Sequence, residues 1–267
     1  MKNLFICITL LISSCGVKKS NEGETSPSVL VDGALYTSYF QQKSAEYRAL
    51  CFQSYNIARL RLMEDLKHRS KKPRAIITDI DETVLDNSPY AVHQAMHNKE
   101  YNDSSWYAWT DMAKADTVPG AASFLKFAAS KGVQVFYITN RKMREKASTL
   151  INLQKFNLPF ADSMHLMVRT DPANGSKEER RHSVLEHYNV ILFLGDNLAD
   201  FSALFDNKSV AERMQNTNNS ITDFGSRFIV LPNPVYGDWE AALFNYYKDR
   251  PSSARKDSIL KNALAGY

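Results

Sequence analysis

Cysteine is nearly absent from this chain, with Cys7, Cys15 and Cys51 the only three in 267 residues. A disulfide-stapled scaffold is excluded, because Cys7 is expected to leave with an N-terminal signal and Cys15 to be acylated, which leaves Cys51 without an intrachain partner. Cys51 lies in a helix-like run and reads as a buried, small apolar side chain. Long hydrophobic runs are missing too. The apolar stretch from Leu4 to Ile12 is far shorter than the roughly 20 residues needed to cross a bilayer. Histidine is sparse and scattered, six in all. His93 and His97 stand one helical turn apart, but a zinc site there lacks a third ligand. Nor is there an excess of one charge: 33 basic against 29 acidic residues leave a formal +4. That supplies no basic stripe and so no nucleic-acid track. The densest cationic cluster, Lys67 to Arg74, reads as a solvated connector. No internal repeat or low-complexity block is present.

The N-terminus is the first positive signal. Lys2, the apolar core Leu4 to Ile12 and Ser13-Ser14-Cys15 form a signal peptide over residues 1–14, with small residues before Cys15 as bacterial lipoprotein peptidase requires. The expectation is an acylated Cys15 that anchors the chain to a membrane; the alternative is a plain secretory signal with an incidental cysteine. Acyl chains contribute about 0.8 kcal/mol per buried CH₂. Gly16 rather than aspartate follows, which in a Gram-negative host favours the outer membrane. Residues 15–34, rich in Lys, Ser, Asn and Gly, read as a flexible tether.

Beyond the tether, apolar periodicity gives helices near 36–68, 120–131, 142–155, 177–188, 198–206 and 238–247. Strands are expected near 75–80, 133–138, 164–168, 190–195 and 227–231. Strand–helix alternation implies an α/β fold, a three-layer α/β/α sandwich with a mostly parallel central sheet. Residues 84–118 are too long for an ordinary connection and, with 35–70, are expected to form a small helical cap on a domain spanning 35–248. The stretch 249–267 is a final helix or a loose tail.

Chemistry concentrates at predicted strand tips. Arg74-Ala75-Ile76-Ile77-Thr78 runs into Asp79-Ile80-Asp81-Glu82-Thr83. Alternation places Asp79 and Asp81 on one side, with Ile80 opposite and its carbonyl free to turn toward a cation. Thr83 is positioned to cap the following segment. An Asp-x-Asp-x-Thr string alone is equally a turn. The strand Val133 to Ile138 ends in Thr139-Asn140-Arg141, whose hydroxyl, amide and backbone N–H groups suit phosphate oxygens. Lys177 precedes a charged helix. The strand Val190 to Leu194 ends in Gly195-Asp196-Asn197-Leu198-Ala199-Asp200, with Asp196 and Asp200 one turn apart.

In this order the four stations resemble the motifs of haloacid dehalogenase-like phosphatases. Asp79 to Tyr90, Val118-Pro119-Gly120-Ala121, Phe136 to Arg141, Gly195 to Phe201 and Leu231 to Glu240 are similar to class C acid phosphatases, bacterial lipoproteins of which several act as 5′-nucleotidases. The resemblance covers residues from about Tyr39 to about Tyr247. One departure is Ala199, where many members carry a second acid.

The resemblance implies Asp79 as nucleophile and Asp81 as general acid and base. It implies one Mg²⁺ held by Asp79, the Asp81 carbonyl and Asp196, with Asp200 orienting waters or Lys177. Thr139, Asn140 and Lys177 would hold the phosphate. Trp106 and Tyr236 would sandwich a nucleoside base, whereas Trp109 is expected in the core. The implied substrate is a small phosphomonoester such as a 5′-mononucleotide or nicotinamide mononucleotide, and an acidic optimum is expected because Asp81 must be protonated to release the leaving group. Family members are often dimers, though no feature of this sequence specifies an interface. Two other readings stay open: a non-catalytic nucleotide- or haem-binding lipoprotein, and a broad phosphatase without nucleotide preference.

Overall fold

The computed structural model describes residues 28–267. The expected signal peptide, Cys15 and the tether up to residue 27 lie outside the described residues. In chain order the elements are α1 (Val29–Lys43), α2 (Ala45–Asp65), β1 (Arg74–Thr78), β2 (Leu85–Asp86), α3 (Ser88–Met96), α4 (Asp103–Asp111), β3 (Asp116–Thr117), α5 (Ala121–Ser130), β4 (Gln134–Lys142), α6 (Lys146–Lys155), β5 (Leu166–Arg169), α7 (Glu178–His187), β6 (Asn189–Gly195), α8 (Val210–Asn219), β7 (Phe228–Val230), α9 (Asp238–Leu243) and α10 (Ser253–Ala263). No described helix is long and apolar enough to cross a membrane.

Five strands form a parallel sheet in the order β5-β4-β1-β6-β7. Alternation along the strands builds two cores. Ile76, Val135, Tyr137, Leu192 and Ile229 pack toward α2 and α5, while Ala75, Ile77, Phe136, Phe193 and Phe228 face Val184 of α7 and Phe201. Each fully buried Ile or Phe side chain contributes about 1.5–3 kcal/mol, so both faces of β1 are committed to the interior. The chain moves from β1 outward through β4 to β5, then returns to the other side of β1 for β6 and β7. That reversal opens a crevice at the carboxyl ends of β1 and β6, where Asp79 and Asp196 emerge.

Local capping sets several boundaries apart from expectation. The tether ends earlier than residue 34, since Ser28 caps α1 by accepting from the Leu30 N–H at 3.3 Å. The single helix expected over 36–68 is split at Ser44. Its extended backbone (φ −81°, ψ 137°) closes α1 onto the Phe40 carbonyl, and its hydroxyl accepts from the Tyr47 N–H to start α2. The helix expected over 198–206 is instead two short 3₁₀ turns, Leu198–Asp200 and Ala203–Phe205. Asp200 and Ser202 take the Asn197 and Leu204 N–H groups at 3.0 and 3.2 Å, which interrupts helix propagation. α9 stops at Leu243, and Asn245, Tyr246 and Tyr247 take left-handed backbone. The C-terminal stretch carries α10.

α2, expected within the 35–70 part of the cap, instead packs against the sheet through Tyr47, Cys51, Tyr55, Ala58 and Leu62, whereas residues 84–118 leave the sheet. β2 and β3 pair antiparallel at their base, and α3 and α4 project from it. α1 packs on α3, tied there by Gln41 to Asp86 (2.8 Å) and Gln42 to Ser88 (3.0 Å).

Candidate active site

The turn after β1 is built by one carbonyl. Ile80 O accepts the N–H groups of Thr83, Val84 and Leu85 at 3.3, 2.8 and 2.8 Å, and Glu82 takes positive φ (57°) to close the loop. The Ile80 carbonyl is therefore spent on the turn and is not free for a cation as its place in the sequence suggested. Thr83 likewise does not cap the following segment. Its hydroxyl donates to Asp196 at 3.0 Å, binding the β1 loop to the β6 loop.

Asp79, Asp196 and Asp200 bring one carboxylate oxygen each to within 4.8 Å of one another. Lys177 Nζ donates to Asp79 and to Asp200, the latter at 2.7 Å. Asp196 is fixed on both oxygens, by Thr83 and by Asn233 Nδ2 at 2.8 Å. Burial pushes the Asp79 carboxyl well above the ordinary range; Lys177 opposes this, and the neighbouring aspartates add to it. Burial and the Asp200 charge raise Asp196 in the same way. Lys177 moves up, since the two carboxylates outweigh the burial that would lower it. Three acids thus share one buried cation, and a divalent ion would relieve the remaining repulsion. Asp200, expected to orient metal-bound waters or Lys177, contacts Lys177 and also brings a carboxylate oxygen into the cluster itself. Gly195 makes room for it: a Cβ there would lie 2.4 Å from Asp200 Cβ.

Asp81 points elsewhere. Arg141 Nη2 and Nε reach its Oδ1 at 2.8 and 3.0 Å, Asn87 Nδ2 donates at 2.9 Å, and the Thr139 hydroxyl approaches Oδ2 at 3.3 Å. Arg141 is itself buried and braced by Thr149 (3.1 Å). Trp109, packed against the core, donates to Asn87 at 2.9 Å.

Thr139 is fully buried. The Asn140 amide is engaged at both ends, donating to the Gly175 carbonyl at 2.8 Å and accepting from Arg180 at 2.7 Å. Arg180 also donates to the Thr139 carbonyl at 2.5 Å and to Ser176 at 3.1 Å, joining the β4 turn to the Lys177 loop. Burial lowers Arg180 to about 10, so it stays charged. Arg181 donates to the Ala199 and Asp200 carbonyls at 2.7 and 3.1 Å. These two arginines were hidden in a helix that reads only as charged. Arg141 had a readable signal in its place directly after Thr139-Asn140.

Above the acids lies a cavity of about 1040 Å³ reaching from Asp79 and Lys177 to Trp106 and Tyr236. The Trp106 ring stands edge-on to Tyr90 at 5.1 Å, with the Arg141 guanidinium 5.7 Å from its centroid. Tyr236 is 38% exposed, with its hydroxyl anchored on the Glu82 carboxyl. Burial and the charge of Asp81 raise Glu82 to about 8.

A parallel α/β sheet with Asp79 after its central strand, Asp196 after the adjacent one and Lys177 between them defines the haloacid dehalogenase-like class of fold and site. The chain belongs to the haloacid dehalogenase (HAD) superfamily, subfamily IIIB (acid phosphatase), whose family model matches residues 8–239. A solved class C acid phosphatase from Bacillus anthracis is 41% identical with a TM-score of 0.85, covering 89% of this chain and 99% of that one. A second structure, described as that enzyme with tungstate bound, matches at 40% identity, a TM-score of 0.85 and the same coverage of 89% and 99%. Acid phosphatase 1 of Solanum lycopersicum and the stem 31 kDa glycoprotein of Glycine max are each 25% identical over 166 residues, 60% of this chain. The chain covers 57% and 58% of the length of those two plant proteins.

Proposed function

We propose that this protein hydrolyses phosphomonoesters through a phosphoryl-aspartate on Asp79. The observation that carries the reading is the division of labour between two aspartates two residues apart: Asp79 is held in a buried acid cluster against Lys177, and Asp81 is turned toward the cavity wall by Arg141.

Asp79 attacks phosphorus in line with the ester oxygen. The P–O bond to the leaving group breaks, and Asp81 gives its proton to the departing alkoxide. Asp81, now a carboxylate, takes a proton from water as that water attacks the phosphoryl group, freeing phosphate and regenerating Asp79. Arg141, Asn87 and Thr139 keep Asp81 in one orientation through both steps. Lys177 neutralises transferring oxygens, a form of charge stabilisation that commonly dominates catalysis. Because the Asn140 side chain is committed to Gly175 and Arg180, its share in holding phosphate falls to its main chain.

The oxygen-only donor set of Asp79, Asp196 and Asp200 fits a hard divalent cation, and we assign it to one Mg²⁺. The Asp81 contribution would come from its backbone carbonyl, since Arg141 holds the side chain. Bound there, the ion supplies charge neutralisation for the phosphoryl group. Tungstate in the Bacillus anthracis enzyme, a tetrahedral oxyanion like phosphate, supports a phosphate site.

For the leaving group we favour a 5′-mononucleotide, nicotinamide mononucleotide included. Trp106 and Tyr236 both line the cavity, and base–aromatic stacking contributes about 1–3 kcal/mol per base. From the sequence alone we further propose lipid anchoring through Cys15 at the bacterial cell envelope. The test is phosphate release by protein lacking residues 1–15 from 5′-AMP, 3′-AMP, nicotinamide mononucleotide and 4-nitrophenyl phosphate, with Mg²⁺ and with chelator. Metal-dependent release favouring 5′-nucleotides is expected. Release from the aryl ester alone discards the nucleotide reading, and release from none discards the phosphatase.

A further inference from the structure

The lining of the cavity continues beyond the acid cluster and the aromatic pair. Its distal wall is formed where α10 meets the cap, and Glu100, Tyr101, Tyr247 and Lys256 all line it. α10 is fastened by two polar attachments. Lys256 Nζ pairs with Glu100 in the loop between α3 and α4, and Ser253 Oγ donates to the same carboxylate at 3.3 Å. One residue further, Asp257 accepts from Ser28 Oγ at 2.8 Å and from the Val29 N–H at 3.3 Å, at the start of α1. α10 thus spans from one side of the cap to the other.

α10 is not held as a core element is held. Lys256, a charged residue, is the only side chain of α10 that is buried, and no residue of the helix belongs to either apolar core. Ser253, Lys256 and Asp257 tie it down through ion pairs and hydrogen bonds, and Lys256 also lies 5.2 Å from the Tyr247 ring centroid. It also follows the segment, residues 8–239, that the family model matches.

From this arrangement we infer that Lys256, through its pair with Glu100, is a specificity-determining residue: it pins α10 as a wall that sets the largest leaving group the phosphatase site admits. The inference rests on the phosphomonoesterase reading above. A phosphomonoester with a longer leaving group than a mononucleotide or aryl ester, such as a 5′-phosphorylated dinucleotide, reaches further from Asp79 and toward the Lys256–Glu100 wall that lines the same cavity.

The test compares kcat/KM for the dinucleotide pApA with kcat/KM for 4-nitrophenyl phosphate. It uses wild-type protein, Lys256→Glu, the double variant Lys256→Glu with Glu100→Lys, and a chain ending at Pro251. The ratio is expected to rise at least tenfold in Lys256→Glu and in the shortened chain, with turnover of the aryl ester unchanged. It should return toward the wild-type value in the double variant, which restores the pair with the charges exchanged. An unchanged ratio in Lys256→Glu overturns the inference even if the shortened chain fails to fold, and so does an equal loss on both esters. A wild-type protein inactive on both overturns the phosphatase reading and this inference with it.

Discussion

Replacing Gly195 with alanine puts a methyl carbon where Asp200 already stands. An ideal Cβ at this position lies 2.4 Å from both Cβ and Oδ2 of Asp200 and 2.8 Å from its Cγ. Non-bonded carbons settle at about 3.5–4.0 Å, so Asp200 must retreat by about 1 Å or more. It is poorly placed to do so. Lys177 holds Oδ1 at 2.7 Å, the Asn197 N–H holds Oδ2 at 3.0 Å, and Arg181 holds its carbonyl at 3.1 Å. The substitution therefore breaks the acid cluster and drags Lys177 with it. Misplacement by about 1 Å is enough to cost about 10²-fold in rate, while overpacking costs about 1–3 kcal/mol of stability. The assay is calorimetric titration of metal-free Gly195→Ala with Mg²⁺, beside kcat/KM on 4-nitrophenyl phosphate and circular dichroism to show a folded chain. A tenfold or greater loss of Mg²⁺ affinity and about a 10²-fold loss of kcat/KM are expected. Wild-type affinity and turnover in a folded variant would refute the packing argument.

Three further outcomes follow from the same geometry. Arg141→Lys cannot reproduce the two-nitrogen grip on Asp81; losing charge-assisted hydrogen bonds of about 1.5–3 kcal/mol should lower kcat roughly 10- to 100-fold with KM little changed, and a change confined to KM would contradict a positioning role. Tyr236→Ala should raise KM for 5′-AMP roughly 10- to 100-fold while 4-nitrophenyl phosphate is spared, as steady-state kinetics on both substrates will show. Burial pushes the Glu178 carboxyl up, but the hydrogen bond and charge of Arg181 outweigh it and hold the group below its usual value. A depressed carboxyl contributes stability above its unfolded value of 4.5 and loses it as pH falls through the folded value. Urea titrations should accordingly find Glu178→Gln less stable than wild type by about 1 kcal/mol at pH 7, allowing for water that screens the partly exposed carboxylate, with the gap closing below pH 4.5; a gap independent of pH would contradict the pairing.

The parts of the site that could be read in advance are those where strand pattern and chemistry coincide. Val133 to Ile138 and Val190 to Leu194 are apolar runs rich in β-branched or aromatic residues that give way to turn and polar residues, so their tips and a parallel sheet followed directly, though not the order of its strands. What local pattern could not supply was the partner of each polar group. Nothing near Asp81 in sequence indicates that its carboxylate turns to Arg141, 60 positions away, or that Thr83 donates to Asp196 rather than to its own segment. The split at Ser44 was obscured because both flanks are helix-forming, and a serine that ends one helix and starts the next leaves little trace in periodicity. α8 went unforeseen because its Asn- and Gln-rich sequence masks a capping box in which Ser209 and Glu212 exchange hydrogen bonds. α10 is held by Ser28 and Glu100, 229 and 156 positions distant, so a final helix and a loose tail could not be told apart before the fold was seen.

The central claim is that Asp79 carries the phosphoryl group, and the direct measurement is acid-quench trapping with ³²P-labelled substrate followed by peptide mapping. The account predicts hydroxylamine-labile label on the peptide containing Asp79 in wild-type protein, with neither label nor turnover in a folded Asp79→Asn variant. Turnover by Asp79→Asn, or label on any other residue, would contradict it.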